Sequence, residues 1–313
     1  MKTKIKVKNK QQLQKIIEQE TQLNGLNCNL NHLDVSSITD MSHLFYESYF
    51  TGNISKWDTS SVTDMSGMFK KSQFNGDISG WNTSRVTSMK SMFFFSQFNS
   101  DISNWNTSNV KNMDNMFSFS QFNLDISNWN TSNVISMISM FRNSHFNRDL
   151  SGWNTSCVED MSHMFQSSQF NGSISKWNIS RARYLHGMFA YSLFNTDISK
   201  WDTSNVEDMQ GMFCHSHFNG DISGWNTSRL KNMNYMFESS MFNGDLSRWQ
   251  TFNLQQVRHI FKNCNAPVPY WAQYEDVSRR RQAIQEYQSS LREKQHLQAN
   301  IKLSPNKEAI NKI

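Results

Sequence analysis

A tryptophan recurs every 24 residues without one insertion or deletion, as Trp57, Trp81, Trp105, Trp129, Trp153, Trp177, Trp201, Trp225 and Trp249. Phenylalanine keeps the same step at 50, 74, 98, 122, 146, 170, 194, 218 and 242, and so does the second residue of Met-Phe from Phe69 to Phe237. A fixed period of this length marks a stacked array, because one unit cannot bury its apolar face and each neighbour completes it. The chain of 313 residues therefore reads as one elongated solenoid rather than two globular domains.

Within a repeat, Val62, Met65, Met68, Phe69 and Ser72 fall on one face of a short helix, with Thr59 or Ser60 as its cap. Asp77-Ile78-Ser79 reads as a very short strand, and Trp81 closes the turn. The expected architecture is an α/β repeat solenoid of about ten turns, with very short parallel strands on one side and short helical or 3-10 turns on the other. Strands about 4.8 Å apart beside helices about 8–10 Å apart predict an arc, which straightens if the helical side tightens to 3-10 turns.

Residues 1–29 read as an N-terminal cap, a β-prone Lys4–Val7 followed by an amphipathic helix that Asn9 opens and Gly25 ends. Residues 30–264 form the solenoid, beginning with an edge repeat in which Leu33 stands where tryptophan belongs. Pro267 and Pro269 break the pattern, so residues 265–275 read as a lid in which Tyr270 and Trp271 close the last turn. Residues 276–313 read as a polar helix and a loosely ordered tail.

The columns held constant look structural. The ladder from Trp57 to Trp249, with the phenylalanines and methionines at the same spacing, is core. Asn75, Asn99, Asn123, Asn147, Asn171, Asn195, Asn219 and Asn243 are expected to bond the backbone of their own and the next turn. A calcium ladder drawing on Asp77, Asp101, Asp125 and Asp149 has too few oxygens per turn, and Ser173 interrupts it. The Thr-Ser columns allow an ice-binding face, but Ile179 and Phe252 interrupt them and capping explains them equally well. No phosphate loop or nucleophile elbow is present, and His215 and His217 lack an evident third ligand, so no enzyme, cofactor or metal is expected.

The net charge of +5 sits at the ends, and residues 31–264 are slightly acidic, which argues against nucleic-acid binding by the body. Cys28, Cys157, Cys214 and Cys264 occupy different turns and read as reduced thiols. The opening MKTKIKVKNKQQLQK has no apolar core of a signal peptide, and no apolar run is long enough to span a membrane, so the expectation is a cytoplasmic monomer. Asn-x-Ser/Thr acceptors at Asn82, Asn106, Asn130, Asn154 and Asn226 would load a packed position with sugar in a eukaryotic secretory route.

One column varies freely and is placed half a turn from the buried stripe: Glu47, Lys71, Phe95, Phe119, Asn143, Ser167, Tyr191, His215 and Ser239. Phe95 and Phe119, flanked by Phe94, together with Tyr191 and His215, are the candidate partner-binding residues. The alternative is that the rings lie flat on neighbouring stems, or that the helix ends before them and turns them inward.

The unit V-x-x-M-x-x-M-F-x-x-S-x-F-N-x-D-I-S-x-W-N-T-S, seen from Val86 to Ser108, resembles the BspA-like bacterial surface-protein repeat over roughly residues 30–264. That resemblance implies a right-handed, leucine-rich-repeat-like solenoid and a non-enzymatic role in protein binding or adhesion. It also implies surface display or export by a non-Sec route. A structural spacer whose C-terminal helix carries recognition, or an ice- or carbohydrate-binding solenoid, is the alternative.

Overall fold

The computed structural model describes residues 4–303. Residues 1–3 of the expected cap and the expected tail from 304 on lie outside them. Strand β1 (Ile5–Lys6) pairs in parallel with β2 (Leu33–Asp34), Ile5 against Leu33. Helix α1 (Lys10–Asn24) lies between them in sequence. Asn9 caps it, its side-chain oxygen accepting the Gln12 N–H at 2.9 Å, and Gly25 ends it with φ 82°. Leu13 and Ile17 are its buried residues. Near the other end come a 3-10 turn, Tyr270–Ala272, and helix α2, Val277–Leu303.

Between α1 and the 3-10 turn the described residues hold no helix, which corrects the expected helix over 62–72. The correction has a physical cause. An α-helix sends every N–H to a carbonyl four residues back in its own segment. Here alternate N–H groups leave the segment: Met89, Ser91, Phe93 and Phe95 donate to the carbonyls of Asn112, Asp114, Met116 and Ser118 in the next turn at 2.7–3.0 Å. The intervening N–H groups of Met92, Phe94 and Ser96 close tight turns onto carbonyls three residues back. To keep the alternate donors aimed one way, the backbone enters the left-handed region twice per repeat, at Ser91 (φ 56°) and Phe95 (φ 53°) here. The same pair recurs from His43 and Glu47 through His259 and Asn263.

The parallel bridges between turns fall in this segment too, in a column from Asp40↔Asp64 to Asn232↔Gln256. The strand expected at Asp77–Ser79 is instead a turn: the Asp77 carboxylate accepts the Ser79 N–H at 2.9 Å, and Trp81 N–H reaches the Ile78 carbonyl at 3.2 Å. Helices and strands therefore do not face each other across the stack. The spacing mismatch that would force an arc is absent.

The core is a set of ring columns. The tryptophans stack nearly parallel, with centroids 6.2–6.5 Å apart in the pairs Trp57–Trp81, Trp105–Trp129, Trp129–Trp153, Trp153–Trp177, Trp201–Trp225 and Trp225–Trp249. Each indole N–H from Trp57 on donates to a carbonyl of the preceding turn, as Trp105 does to Ile78 at 3.1 Å. The pattern holds late in the column, where Trp201 and Trp225 stack 6.3 Å apart and donate to the Ile174 and Ile198 carbonyls, each at 3.1 Å. Burying such a ring is worth roughly 4–6 kcal/mol gross at about 25 cal/mol/Å². The column ends on Trp271, which is buried, stacks on Trp249 at 6.3 Å and donates to the Leu246 carbonyl. It stands 22 residues after Trp249, so the Ala266–Pro269 bypass shortens the path while preserving the stack.

Candidate partner-binding surface

The polar columns are consumed by the scaffold. Asn99 N–H donates to the Asn75 side-chain oxygen at 2.8 Å, and the same link joins each asparagine to the next through Asn123, Asn147, Asn171, Asn195, Asn219 and Asn243. The Thr83 hydroxyl donates to the Asn106 carbonyl of the next turn at 3.0 Å and is buried, as are Thr59, Thr107, Thr131, Thr155 and Thr203. These threonines bond between turns rather than capping helices, and their hydroxyls are not offered to ice. Asp77, Asp125 and Asp149 each spend a carboxylate on the serine two residues on, and those bonds hold the carboxyls below the usual 3.8. Where aspartate is missing, Ser173 meets Ser175 at 3.3 Å. Among the described residues no three His, Cys, Asp or Glu side chains converge as metal ligands.

What remains for a partner is the ridge of left-handed residues. Phe95 (57% exposed), Phe119 (39%) and Tyr191 (56%) stand out of it. Their exposure comes from the second left-handed position of each repeat, φ 53°, 55° and 57°, and not from a helical face. Such a conformation costs a residue with a Cβ on the order of 1 kcal/mol, which the inter-turn bond from its own N–H offsets.

Phe94, Phe95 and Phe119 form one cluster, with ring centroids 5.8 Å (Phe94–Phe119) and 6.0 Å (Phe95–Phe119) apart. Tyr191 and His215 form a second, stacked at 4.6 Å and 10°. The Asn143 and Ser167 positions lie between the clusters, so the five residues are not one site. Sequence reading missed that the first cluster continues. Lys70 Nζ lies 5.2 Å from the Phe94 ring and 5.7 Å from Tyr46, and Arg142 lies 6.0 Å from Phe119. Tyr46 is exposed beside them. The signal was available, since Tyr46, Lys70, Phe94 and Arg142 share one column of the 24-residue register. At its edge Lys71 pairs with Glu47 at 2.8 Å and lowers that carboxyl.

The other left-handed column carries His43, Gly67, Ser91, Asn115, Ser139, His163, Gly187, Gly211, Tyr235 and His259. The His163 ring lies on Gly187, where an added Cβ would meet Nδ1 at 2.4 Å. Burial, then His186 and Arg142, push the His163 imidazole down to about 4, so it is neutral at pH 7. Gly211 has no such cover, and a shallow hollow of about 330 Å³ opens there beside Tyr191, Tyr235 and Cys214. Burial pushes the Cys214 thiol up to about 11, which leaves it unreactive at neutral pH.

A stack of this kind, whose fixed columns are spent on holding turns together and whose side chains vary freely on one ridge, defines a tandem-repeat solenoid. The chain belongs to the family described as Mycoplasma protein of unknown function, DUF285, whose model matches residues 11–121, 94–193 and 167–274. No curated protein matches it. No helix among the described residues is long and apolar enough to cross a membrane.

Proposed function

We propose that the chain is a non-enzymatic, monomeric protein-binding scaffold of about ten right-handed turns, probing its partner with the aromatic and cationic strip around Phe94, Phe95 and Phe119. The observation that carries this reading is that Phe95 and Phe119 are held exposed at positions where Lys71, Asn143 and Ser167 serve the fold equally well. Rigid exposed aromatics with flanking arginine are the side chains most enriched where binding energy concentrates. Lys70 and Arg142 over the rings keep the strip soluble and add charge selectivity. Tyr191 with His215 is a second contact on the same ridge. The resemblance to BspA-like surface repeats supports protein binding.

The test is Phe95→Ser with Phe119→Ser, which should leave the melting temperature within about 2 °C of the parent and abolish capture of the partner by the immobilised chain. A large fall in melting temperature would place the rings in the core; unchanged capture would move the site elsewhere. The spacer reading draws on α2, whose described side chains from Gln285 on are exposed. Ending the chain at Gln288 separates the two, because the ridge reading predicts that binding survives.

A further inference from the structure

Each rung of the stack has a direction: its alternate N–H groups point to the following turn and its alternate carbonyls to the preceding one. Met233, Tyr235, Phe237 and Ser239 donate to the carbonyls of Gln256, Arg258, Ile260 and Lys262 at 2.8–2.9 Å. The last rung repeats the same backbone path, with φ 52° at His259 and 55° at Asn263. The N–H groups of Val257, His259, Phe261 and Asn263 therefore form the next row of aligned donors. Among the described residues that row meets no acceptor.

The 3-10 turn and α2 finish the apolar cross-section instead. Trp271 covers Trp249, and the fully buried Arg280 donates to the carbonyls of Leu254, Tyr274 and Glu275. The donor row is left beside them. A hollow of about 410 Å³ adjoins its first residues, lined by Val257, Arg258, Asn234 and Glu275. Arg258, His259, Lys262 and Asn263 are exposed along the same rung.

We propose that this terminal rung is a docking edge for an extended acidic segment of a protein partner, whose main-chain carbonyls take up the four N–H groups. Two features select that occupant. Four N–H groups aimed one way, with left-handed residues at His259 and Asn263 holding them in line, concentrate positive potential, as aligned backbone amides do in anion-binding concavities. Arg258 and Lys262 add two cations on the same rung, against one facing carboxylate, Glu275, and one partner carboxylate, Glu238, on Lys262 at 3.0 Å. The segment binds as a further rung, by addition to an open edge. A second copy of the chain would have to present its first rung, and that end carries α1, with Lys10 on Asp40 and Ser42.

The proposal does not depend on the aromatic strip. Its test is amide NMR of the full ¹⁵N-labelled chain titrated with acetyl-hexaglutamate amide, and with acetyl-hexalysine amide as control. The expected result is saturable binding of the glutamate peptide alone, slowed hydrogen exchange at Val257, His259, Phe261 and Asn263, and affinity about tenfold weaker in Arg258→Ser with Lys262→Ser. Phe95→Ser with Phe119→Ser should leave these shifts unchanged. Equal binding of the lysine peptide, or glutamate-peptide binding that leaves the four amides exchanging at their free rate, would overturn it. Protection of those amides on raising the concentration of the chain alone would give the edge to a second copy and overturn the acidic occupant.

Discussion

Trp153 illustrates how each residue in a fixed column serves two neighbours. Its ring stacks on Trp129 at 6.4 Å and on Trp177 at 6.5 Å, and its N–H holds the Ile126 carbonyl at 3.1 Å. Trp153→Phe keeps a ring but strands that carbonyl, so the expected loss is about 2–3 kcal/mol, read from urea unfolding, whereas Phe95→Ser should change stability by less than about 0.5 kcal/mol. A similar loss in both would erase the distinction between core column and ridge. Acid should weaken the fold through two sets of groups. The His163 imidazole is lowered from 6.5 to about 4, so its contribution is complete above pH 6.5 and is lost as pH falls toward 4. Asp77, Asp125 and Asp149 sit below 3.8 because of their serine bonds, so their contribution is present above that value and is lost as pH falls through the lowered one. Melting temperature should therefore decline from pH 7 to pH 5, and His163→Asn should flatten that decline; Asn115 already occupies the same column at φ 56°. An unchanged slope in the variant would remove His163 from the account.

The repeat itself was half legible. Spacing alone identified the tryptophan, phenylalanine and methionine columns as core, because burial needs only the period and the apolar residue types. Trp201 and Trp225 are buried as that reading expects. The same pattern misled about backbone: Val62, Met65, Met68 and Phe69 recur at helical intervals, yet tight turns separated by left-handed residues bury the same positions. Gly67, Gly187 and Gly211, with serine, asparagine and histidine around them, hinted at a left-handed column. Phe95, Phe119 and Tyr191 gave no hint at the second, since aromatic residues seldom adopt that conformation. Arg280 was equally hidden, as a cation fully buried by carbonyls at the end of a stack has no periodic signature. Arg280→Ala leaves the Leu254 carbonyl without its partner and should cost about 2–3 kcal/mol, whereas Arg279→Ala, on the exposed side of the same helix turn, should be nearly neutral by the same unfolding measurement.

At the scale of the molecule, both ends close apolar cross-sections that interior turns bury against each other. Removing residues 1–29 uncovers the edge turn of Leu33, Met41 and Phe45, removing 265–275 uncovers Trp249, and either should yield insoluble protein; a soluble product with unchanged melting would refute the closing role of those segments. The central claim is that the chain's stability comes from turns stacked along one axis, each bonded only to the turns before and after it. Small-angle scattering of the intact chain tests it most directly. The stack predicts an anisotropic particle whose radius of gyration clearly exceeds the roughly 19–20 Å of a compact domain of this length, and a value at that compact figure would contradict it.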